Sequence, residues 1–199
     1  LGKSTVSEYD ANGNLTAATD RNGHTTRYTY DAENRLIRME DAEGSTTSYT
    51  YDANGQMTKT TSAMGAETSS TYDALGRQIS SADALGHVTG YEYDVLGRAT
   101  KITYADGGFV AYTYDANGNL LNGGKYTYSW TKGSLLEKVT GDGLEAVYTY
   151  DASGIRTSKK VNGITTEYLT AGGSVLSEKK NGVWQHYLYD GSGQLMAIR

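Results

Sequence analysis

Polar and apolar residues alternate with a period of two through most of this chain, in short runs such as Thr26-Arg27-Tyr28-Thr29-Tyr30 and Thr47-Ser48-Tyr49-Thr50-Tyr51. Such alternation sends successive side chains to opposite faces of a strand, and Thr, Tyr, Val and Ile suit a pleated, half-buried surface. The runs last about six or seven residues, an ordinary strand length. No segment sustains a helical period. The expectation is an all-β fold: a long antiparallel meander of roughly 18 strands, each joined to the next, forming a curved or spiralling sheet.

What punctuates the runs is regular. Tyr-Asp pairs stand at Tyr9-Asp10, Tyr30-Asp31, Tyr51-Asp52, Tyr72-Asp73, Tyr93-Asp94 and Tyr114-Asp115, each 21 residues after the last. Three residues beyond each Asp comes Gly13, Asn34, Gly55, Gly76, Gly97 or Gly118, and a second comb follows at Gly23, Gly44, Gly65, Gly86 and Gly107. Asp-x-x-Gly specifies a type I turn, the carboxylate bonding nearby amides and the glycine taking the left-handed conformation of a bulged hairpin loop. Asn34 is a tolerated exception, because Asn enters that region more readily than most residues. The second comb repeats the form in Asp20-Arg21-Asn22-Gly23, Asp41-Ala42-Glu43-Gly44 and Asp83-Ala84-Leu85-Gly86. Each repeat therefore holds two turns and two strands.

Beyond Asp115 the spacing loosens while the vocabulary persists. Tyr126-Thr127-Tyr128-Ser129 loses the Asp, Tyr150-Asp151-Ala152-Ser153-Gly154 restores it, Tyr168-Leu169 is degenerate, and Tyr189-Asp190-Gly191-Ser192-Gly193 is the last copy. Asn162-Gly163 and Asn181-Gly182 add two-residue hairpin signals. The count is about nine units. The whole of 1–199 reads as one repeat sheet, regular over 1–121 and irregular over 122–199. The Tyr, Asp and Gly of these motifs are expected to be structural.

In Tyr28-Thr29-Tyr30 the two rings share a face, and the intervening strand should supply filler from Leu15, Leu36, Met57 and Leu120. Tyr–Leu cross-strand pairs of this kind contribute a few tenths to about 1 kcal/mol each. A flat ribbon of this many strands would run roughly 85 Å. Its Tyr/Leu face must meet another turn of the same spiral, another copy, or an enclosed cargo.

Composition sharpens this picture. Only 37% of the 199 residues are hydrophobic, and Tyr outnumbers the other aromatics, 18 against one Phe and two Trp. A ring with a hydroxyl suits a half-buried sheet better than a dry core. Pro is absent, as a meander whose interior strands all donate their amides requires. A net charge of −5 without any basic run argues against nucleic acid, and no apolar stretch approaches a membrane-helix length. Zero Cys excludes disulfides and cysteine metal sites. Leu1-Gly2-Lys3-Ser4 enters mid-pattern, so the chain reads as a piece of a longer one.

Candidate chemistry is sparse. Asp10-Ala11-Asn12-Gly13-Asn14 places its glycine fourth, where a calcium loop of the EF-hand type needs it sixth. His24, His87 and His186 are scattered, and Gly141-Asp142-Gly143 and Gly191-Ser192-Gly193 lack the strand–helix context of a phosphate loop. No nucleophile motif is present, and no cofactor, metal or catalytic residue is expected. The unprotected first and last strands predict self-association. Trp130 and Trp184, if exposed beside tyrosines, would favour the alternative of a surface carbohydrate-binding or adhesion module.

Tyr72-Asp73-Ala74-Leu75-Gly76-Arg77, Tyr91-Glu92-Tyr93-Asp94-Val95-Leu96-Gly97-Arg98 and Tyr112-Thr113-Tyr114-Asp115-Ala116-Asn117-Gly118-Asn119-Leu120 resemble the Rhs/YD-repeat family along essentially the whole chain. The resemblance implies long strands that spiral into a hollow shell, enclosing a C-terminal toxin domain in polymorphic toxins and insecticidal toxin complexes, with related shells in teneurins. It further implies a secreted or cell-surface parent protein, bacterial effector delivery, and two partners: the rest of the shell and its cargo. Toxin-bearing members carry an Asp-Pro-x-Gly-type cap whose aspartates free the toxin. With no Pro here, no Asp inherits that role, and the chain is expected to stop just before the cap.

Overall fold

A computed structural model describes residues 4–172 and 174–199; Leu1-Gly2-Lys3, where the sequence enters the repeat mid-pattern, and Gly173 lie outside them. The described residues contain strands and turns and no helix. The chain divides into two units, Leu1–Phe109 and Val110–Arg199. The first holds β1 (Val6–Tyr9), β2 (Leu15–Thr19), β3 (Thr25–Tyr30), β4 (Leu36–Glu40), β5 (Thr46–Tyr51), β6 (Met57–Thr61), β7 (Glu67–Tyr72), β8 (Gln78–Ala82), β9 (Val88–Tyr93) and β10 (Ala99–Thr103). From β11 (Phe109–Tyr114), at whose start the units divide, the second continues with β12 (Leu120–Gly123), β13 (Tyr126–Thr131), β14 (Leu135–Gly141) and β15 (Leu144–Tyr150). It ends with β16 (Arg156–Val161), β17 (Ile164–Ala171), β18 (Ser174–Lys180), β19 (Val183–Tyr189) and β20 (Leu195–Ile198). Within each unit every strand pairs antiparallel with its neighbours in sequence. The fold is the all-β meander that the alternation predicts.

The described residues form 20 strands against the roughly 18 expected, and both weak copies form complete hairpins. In β13–β14, Thr131 pairs with Leu135 around Lys132 and Gly133, both at positive φ (47° and 83°), so the turn closes without Asp. In β17–β18 the equivalent turn runs through Gly172. Turn geometry can thus survive loss of the turn's signature residue where another left-handed residue takes its place.

The Asp-x-x-Gly turns take the form that the sequence predicts. At Asp52 the Gly55 amide donates to the Asp52 carbonyl (3.1 Å), the Asp52 amide donates to the Gln56 carbonyl (2.9 Å), and Gly55 sits at φ 83°. The Asp52 carboxylate accepts from the amides of Asn54 and Gln56, both at 2.9 Å. At the opposite strand ends of the first unit the second comb closes similar turns, with Ser62 and Tyr104 standing where the others have Asp. In the second unit those ends are two-residue turns instead: Asp142-Gly143, Asn162-Gly163 and Asn181-Gly182 all have both residues at positive φ. Direct pairing of Gly141 with Leu144, Val161 with Ile164 and Lys180 with Val183 follows, the tight geometry that Asn-Gly and Asp-Gly favour. Shorter loops leave more residues to the strands, which here reach eight in β17.

A bulge that the turn signals do not announce recurs in every hairpin. Tyr9 pairs with Leu15 but Glu8 pairs with Ala17, which leaves Thr16 extra. The same shift leaves Ile37, Thr58, Ile79 and Thr100 extra in the first unit. In the second unit Leu121, Glu137, Thr157, Leu176 and Met196 are the extra residues. Opposed across four of these hairpins are Tyr9 and Leu15, Tyr30 and Leu36, Tyr51 and Met57, and Tyr114 and Leu120, the expected cross-strand pairs.

Burial is shallow throughout. Among the described residues the only buried apolar side chains are Ala17, Val139 and Ala146, joined by Thr166 and Ser177, and no large side chain is fully enclosed. Both faces of each meander remain at least partly accessible, and stability must come from strand-to-strand contacts. Backbone shape matters correspondingly. Gly141 has φ 137°, and a Cβ there would lie 1.8 Å from the Lys125 carbonyl oxygen, whereas Gly65 (φ 77°) faces open space. Gly141→Ala is therefore expected to melt far below Gly65→Ala, whose cost is about 1–2 kcal/mol of left-handed strain. Thermal unfolding followed by circular dichroism measures the difference; equal melting points would contradict the assignment.

Candidate functional site

The motif residues gather in one row along the bulged strand ends of each unit. At this end the hairpins part from one another: the last ladder pair between β2 and β3 is Ala17 with Arg27, so Leu15 lies beyond it. The bulge at Thr16 disrupts the ladder here, and the Leu15 carbonyl needs another donor. Tyr30 supplies it, its hydroxyl donating to the Leu15 carbonyl at 3.0 Å.

The contact recurs hairpin by hairpin. Tyr51 donates to the Leu36 carbonyl (2.8 Å), Tyr72 to Met57 (2.8 Å) and Tyr93 to Gln78 (2.7 Å). In the second unit Tyr150 donates to Leu136 (2.7 Å) and Tyr189 to Val175 (2.8 Å). Each acceptor is the residue directly opposite the previous hairpin's motif aromatic or its replacement, Thr170 in β17. In β13 the donor is Trp130, whose indole Nε1 reaches the Leu120 carbonyl at 2.7 Å. Trp130 is half-buried in this contact, which corrects its reading as an exposed sugar-stacking ring. It also corrects the alignment of that copy: Trp130, and neither Tyr126 nor Tyr128, stands in the Tyr position. What the position requires is an aromatic with a polar hydrogen at its far end.

A second link runs through the residue four after several of the motif aspartates. Arg35 donates from Nε to Asp31 Oδ2 (2.7 Å) and from Nη1 to the Asp52 carbonyl of the next turn (3.3 Å). Its guanidinium lies over the Tyr51 ring, 4.9 Å from the centroid. Arg77 repeats the arrangement with Asp73 (2.7 Å), the Asp94 carbonyl (2.9 Å) and the Tyr93 ring (4.8 Å). Arg98 bonds Asp94 in the same way at 2.7 Å. Shorter side chains do equivalent work: Gln56 donates to the Gly76 carbonyl (2.9 Å), Asn14 to Asn34 Oδ1 (2.7 Å) and Asn119 to the Gly133 carbonyl (2.5 Å). Lys132 reaches the Asp151 carbonyl. Lys132 acts from within its own turn, whereas the Arg, Gln and Asn donors tie one turn to the next from the residue four after the Asp.

The electrostatics follow. Asp31, Asp73 and Asp94 are held below the ordinary carboxylate range, first by the backbone amide of the residue four on and then by its guanidinium. Asp10 and Asp115 are lowered chiefly by the Asn14 and Asn119 amide side chains. Asp151 and Asp190 are lowered chiefly by the hydroxyls of Ser153 and Ser192. A depressed carboxylate keeps its proton off at neutral pH, the opposite of what an acid catalyst needs.

No second constellation competes. Among the described residues no group of His, Asp and Glu is arranged to hold a metal ion. His24 and His87 sit on turn residues Asp20 (3.2 Å) and Asp83 (2.9 Å), far from any nucleophile pairing. Ser177 Oγ meets His186 Nδ1 at 2.7 Å as an opposed pair of β18 and β19, and among the described residues no carboxylate orients that imidazole. Sequence reasoning missed the hydroxyl–carbonyl link, the Arg and Gln ties and the role of Trp130. The Arg signal was available, since Arg35, Arg77 and Arg98 share one register.

Known proteins carry the same pattern. The RHS Repeat family profile matches residues 9–39, 30–67 and 72–108. The tRNA3(Ser)-specific nuclease WapA of Bacillus spizizenii is 39% identical over 88 residues, 41% of this chain and 4% of that protein. The tRNA nuclease WapA of Bacillus subtilis is 39% identical over 85 residues, 39% of this chain and again 4% of that protein. The chain thus spans a very small part of these curated relatives. Among solved structures, the Photorhabdus luminescens Tc holotoxin pore aligns with a TM-score of 0.58 at 19% identity, covering 88% of this chain and 12% of that one. TcdB2–TccC3 without its hypervariable C-terminal region gives 0.61 at 18% identity, over 96% of this chain and 14% of that one. These structural likenesses concern the fold alone.

Two outcomes are expected of the ladder. Tyr51→Phe keeps the ring and strands the Leu36 carbonyl, at a cost of about 1 kcal/mol and a melting point some 2–4 °C lower. Thr50→Val, exposed on the other face, should leave it unchanged. For pH the sign is fixed by the lowered aspartates: their contribution is complete above about pH 4 and is lost as pH falls through the depressed folded values. Melting temperature should therefore hold from neutrality to about pH 5 and decline below pH 4, and an acid-insensitive melting point would refute the turn electrostatics.

Proposed function

We propose that this chain, which belongs to the Rhs/YD-repeat family, is a non-catalytic wall segment of a shell that encloses a C-terminal toxin or other cargo domain. The supporting observation is where the polar chemistry is directed. Tyr51, Trp130, Arg77, Asn14 and Gln56 of the motif row bond to backbone or to neighbouring turns, and they do not converge on a space that a substrate could enter. A meander with two partly accessible faces and no enclosed core separates the space on its two sides. The whole of 1–199 serves as one such segment, its Tyr-Asp-Gly motifs having a structural role.

The nuclease activity in the names of the WapA relatives belongs, in this reading, to a part of those proteins outside the matched stretch. The partners of this chain are the remainder of the shell and the enclosed domain, and the parent protein acts outside the cell that makes it, by secretion or surface display.

One feature favours a second reading, carbohydrate binding or adhesion: Trp184 is 47% exposed and stacks parallel to His186 with centroids 6.3 Å apart. An aromatic ring pair on an open strand can receive a sugar face.

The readings separate experimentally. The purified chain should leave tRNA intact and show no saturable binding to cell-wall or host glycans. In the full-length protein, Tyr51→Ala with Tyr93→Ala should speed protease digestion of the domain downstream of the repeats. Cleavage of tRNA by the chain, or glycan binding lost in a folded Trp184→Ala variant, would overturn the wall reading.

A further inference from the structure

The ties between hairpins are unevenly distributed. Within the first unit every seam between successive hairpins carries both kinds: Tyr30 with Asn14, Tyr51 with Arg35, Tyr72 with Gln56 and Tyr93 with Arg77. In the second unit Trp130 and Asn119 close the β12–β13 seam, Tyr150 and Lys132 the β14–β15 seam, and Tyr189 serves β18–β19. At β16–β17 neither kind is present among the described residues. Thr170 stands where the aromatic belongs, opposite Val175, and its hydroxyl, one bond from Cβ, lacks the reach of a tyrosine. Ile155, four residues after Asp151, has no polar hydrogen to donate. Among the described residues no side chain donates to the carbonyl of Arg156, the residue opposite Tyr150.

The surroundings leave this end of the seam open. Arg156 turns back over its own hairpin, its guanidinium 4.6 Å from the Tyr148 ring centroid and 5.8 Å from that of Tyr150. Leu169 is 56% exposed and Ile155 37%. The ladder stops where Ser158 pairs with Glu167, and among the described residues no side-chain hydrogen bond spans the seam beyond that pair. Within the ladder, Lys159 Nζ lies 5.8 Å from the Tyr168 ring centroid, a cation–π contact between the two strands.

The other end is fixed. Asn162 and Gly163 turn at φ 45° and 87°. The Asn162 amide donates to the Glu145 carbonyl (2.8 Å), and the Asn162 Oδ1 accepts from the Glu145 amide (2.7 Å), which fastens the turn to β15. Thr166, on the turn side of the ladder, is buried. Local opening begins where the fewest interactions hold a pair of strands together. We propose that the β16–β17 seam is the hinge of the second unit: the motif ends of β16 and β17 part, pivoting on Asn162-Gly163, while the tied seams stay shut.

Hydrogen exchange of the purified chain, followed amide by amide by NMR, tests this. The β14–β15 seam is the control. It pairs over the same length, Lys138–Val147 to Gly141–Leu144 against Ser158–Glu167 to Val161–Ile164, and also closes in a two-residue turn. Amides bonded across β16–β17 should exchange roughly tenfold faster than those bonded across β14–β15. Thr170→Tyr supplies a donor for the Arg156 carbonyl and should slow the fast set severalfold. Tyr150→Phe should quicken the slow set by a similar factor. Equal exchange at the two seams of the wild type overturns the proposal, and so does a folded Thr170→Tyr variant whose exchange is unchanged. The wild-type comparison decides alone if that variant does not fold. The readout is motion within the chain and is independent of the wall reading.

Discussion

The structure depends on one transfer of hydrogen-bonding capacity. A bulge near the start of every second strand disrupts pairing beside a backbone carbonyl, and the aromatic of the next hairpin supplies that carbonyl with a donor. Left alone, the bulge would be a defect in the ladder, its acceptor costing about 1–3 kcal/mol wherever water is excluded. Left alone, the hydroxyl would be an unpaired group on a half-buried ring. Joined, they seal hairpins exactly where the ladder between them has run out, which is why a hydroxyl-bearing aromatic fills a position that Phe would fill equally well by size.

Because the link is made between neighbours, stability is distributed. Buried apolar area is small, with Ala17, Val139 and Ala146 the only enclosed apolar side chains among the described residues. Hairpins instead contribute their own turns, cross-strand pairs such as Tyr30 with Leu36 and Tyr72 with Gln78, and ties to their neighbours such as those of Tyr51 and Arg77. A chain held in this way behaves as a nearest-neighbour array, lengthened or shortened without rebuilding a core. The polar ends of Tyr51, Tyr93 and Arg77 are accordingly committed to backbone carbonyls of neighbouring hairpins.

Much of the fold was legible in the residues. Asp-x-x-Gly names its own turn because both the carboxylate-to-amide bonds and the left-handed φ are local, as at Asp52 and Gly55. Asn162-Gly163 and Asn181-Gly182 are legible for the same reason. Less legible are the turns at Lys132-Gly133 and Gly172, which persist without an Asp to name them. Trp130 was misread because pattern matching tracks residue names, whereas the site selects for a donor at the end of an aromatic ring.

From sequence alone came the all-β class, the turn rows and the alternation of faces, all governed by interactions within a few residues of one another. The tertiary structure alone decided which carbonyl each tyrosine addresses, that Arg35 and Arg77 couple successive turns, and that a bulge accompanies every motif hairpin. These contacts join residues some 14 to 17 positions apart, across a gap whose width is set by where two ladders end. Spacing in a sequence does not measure that gap; only the paired strands do.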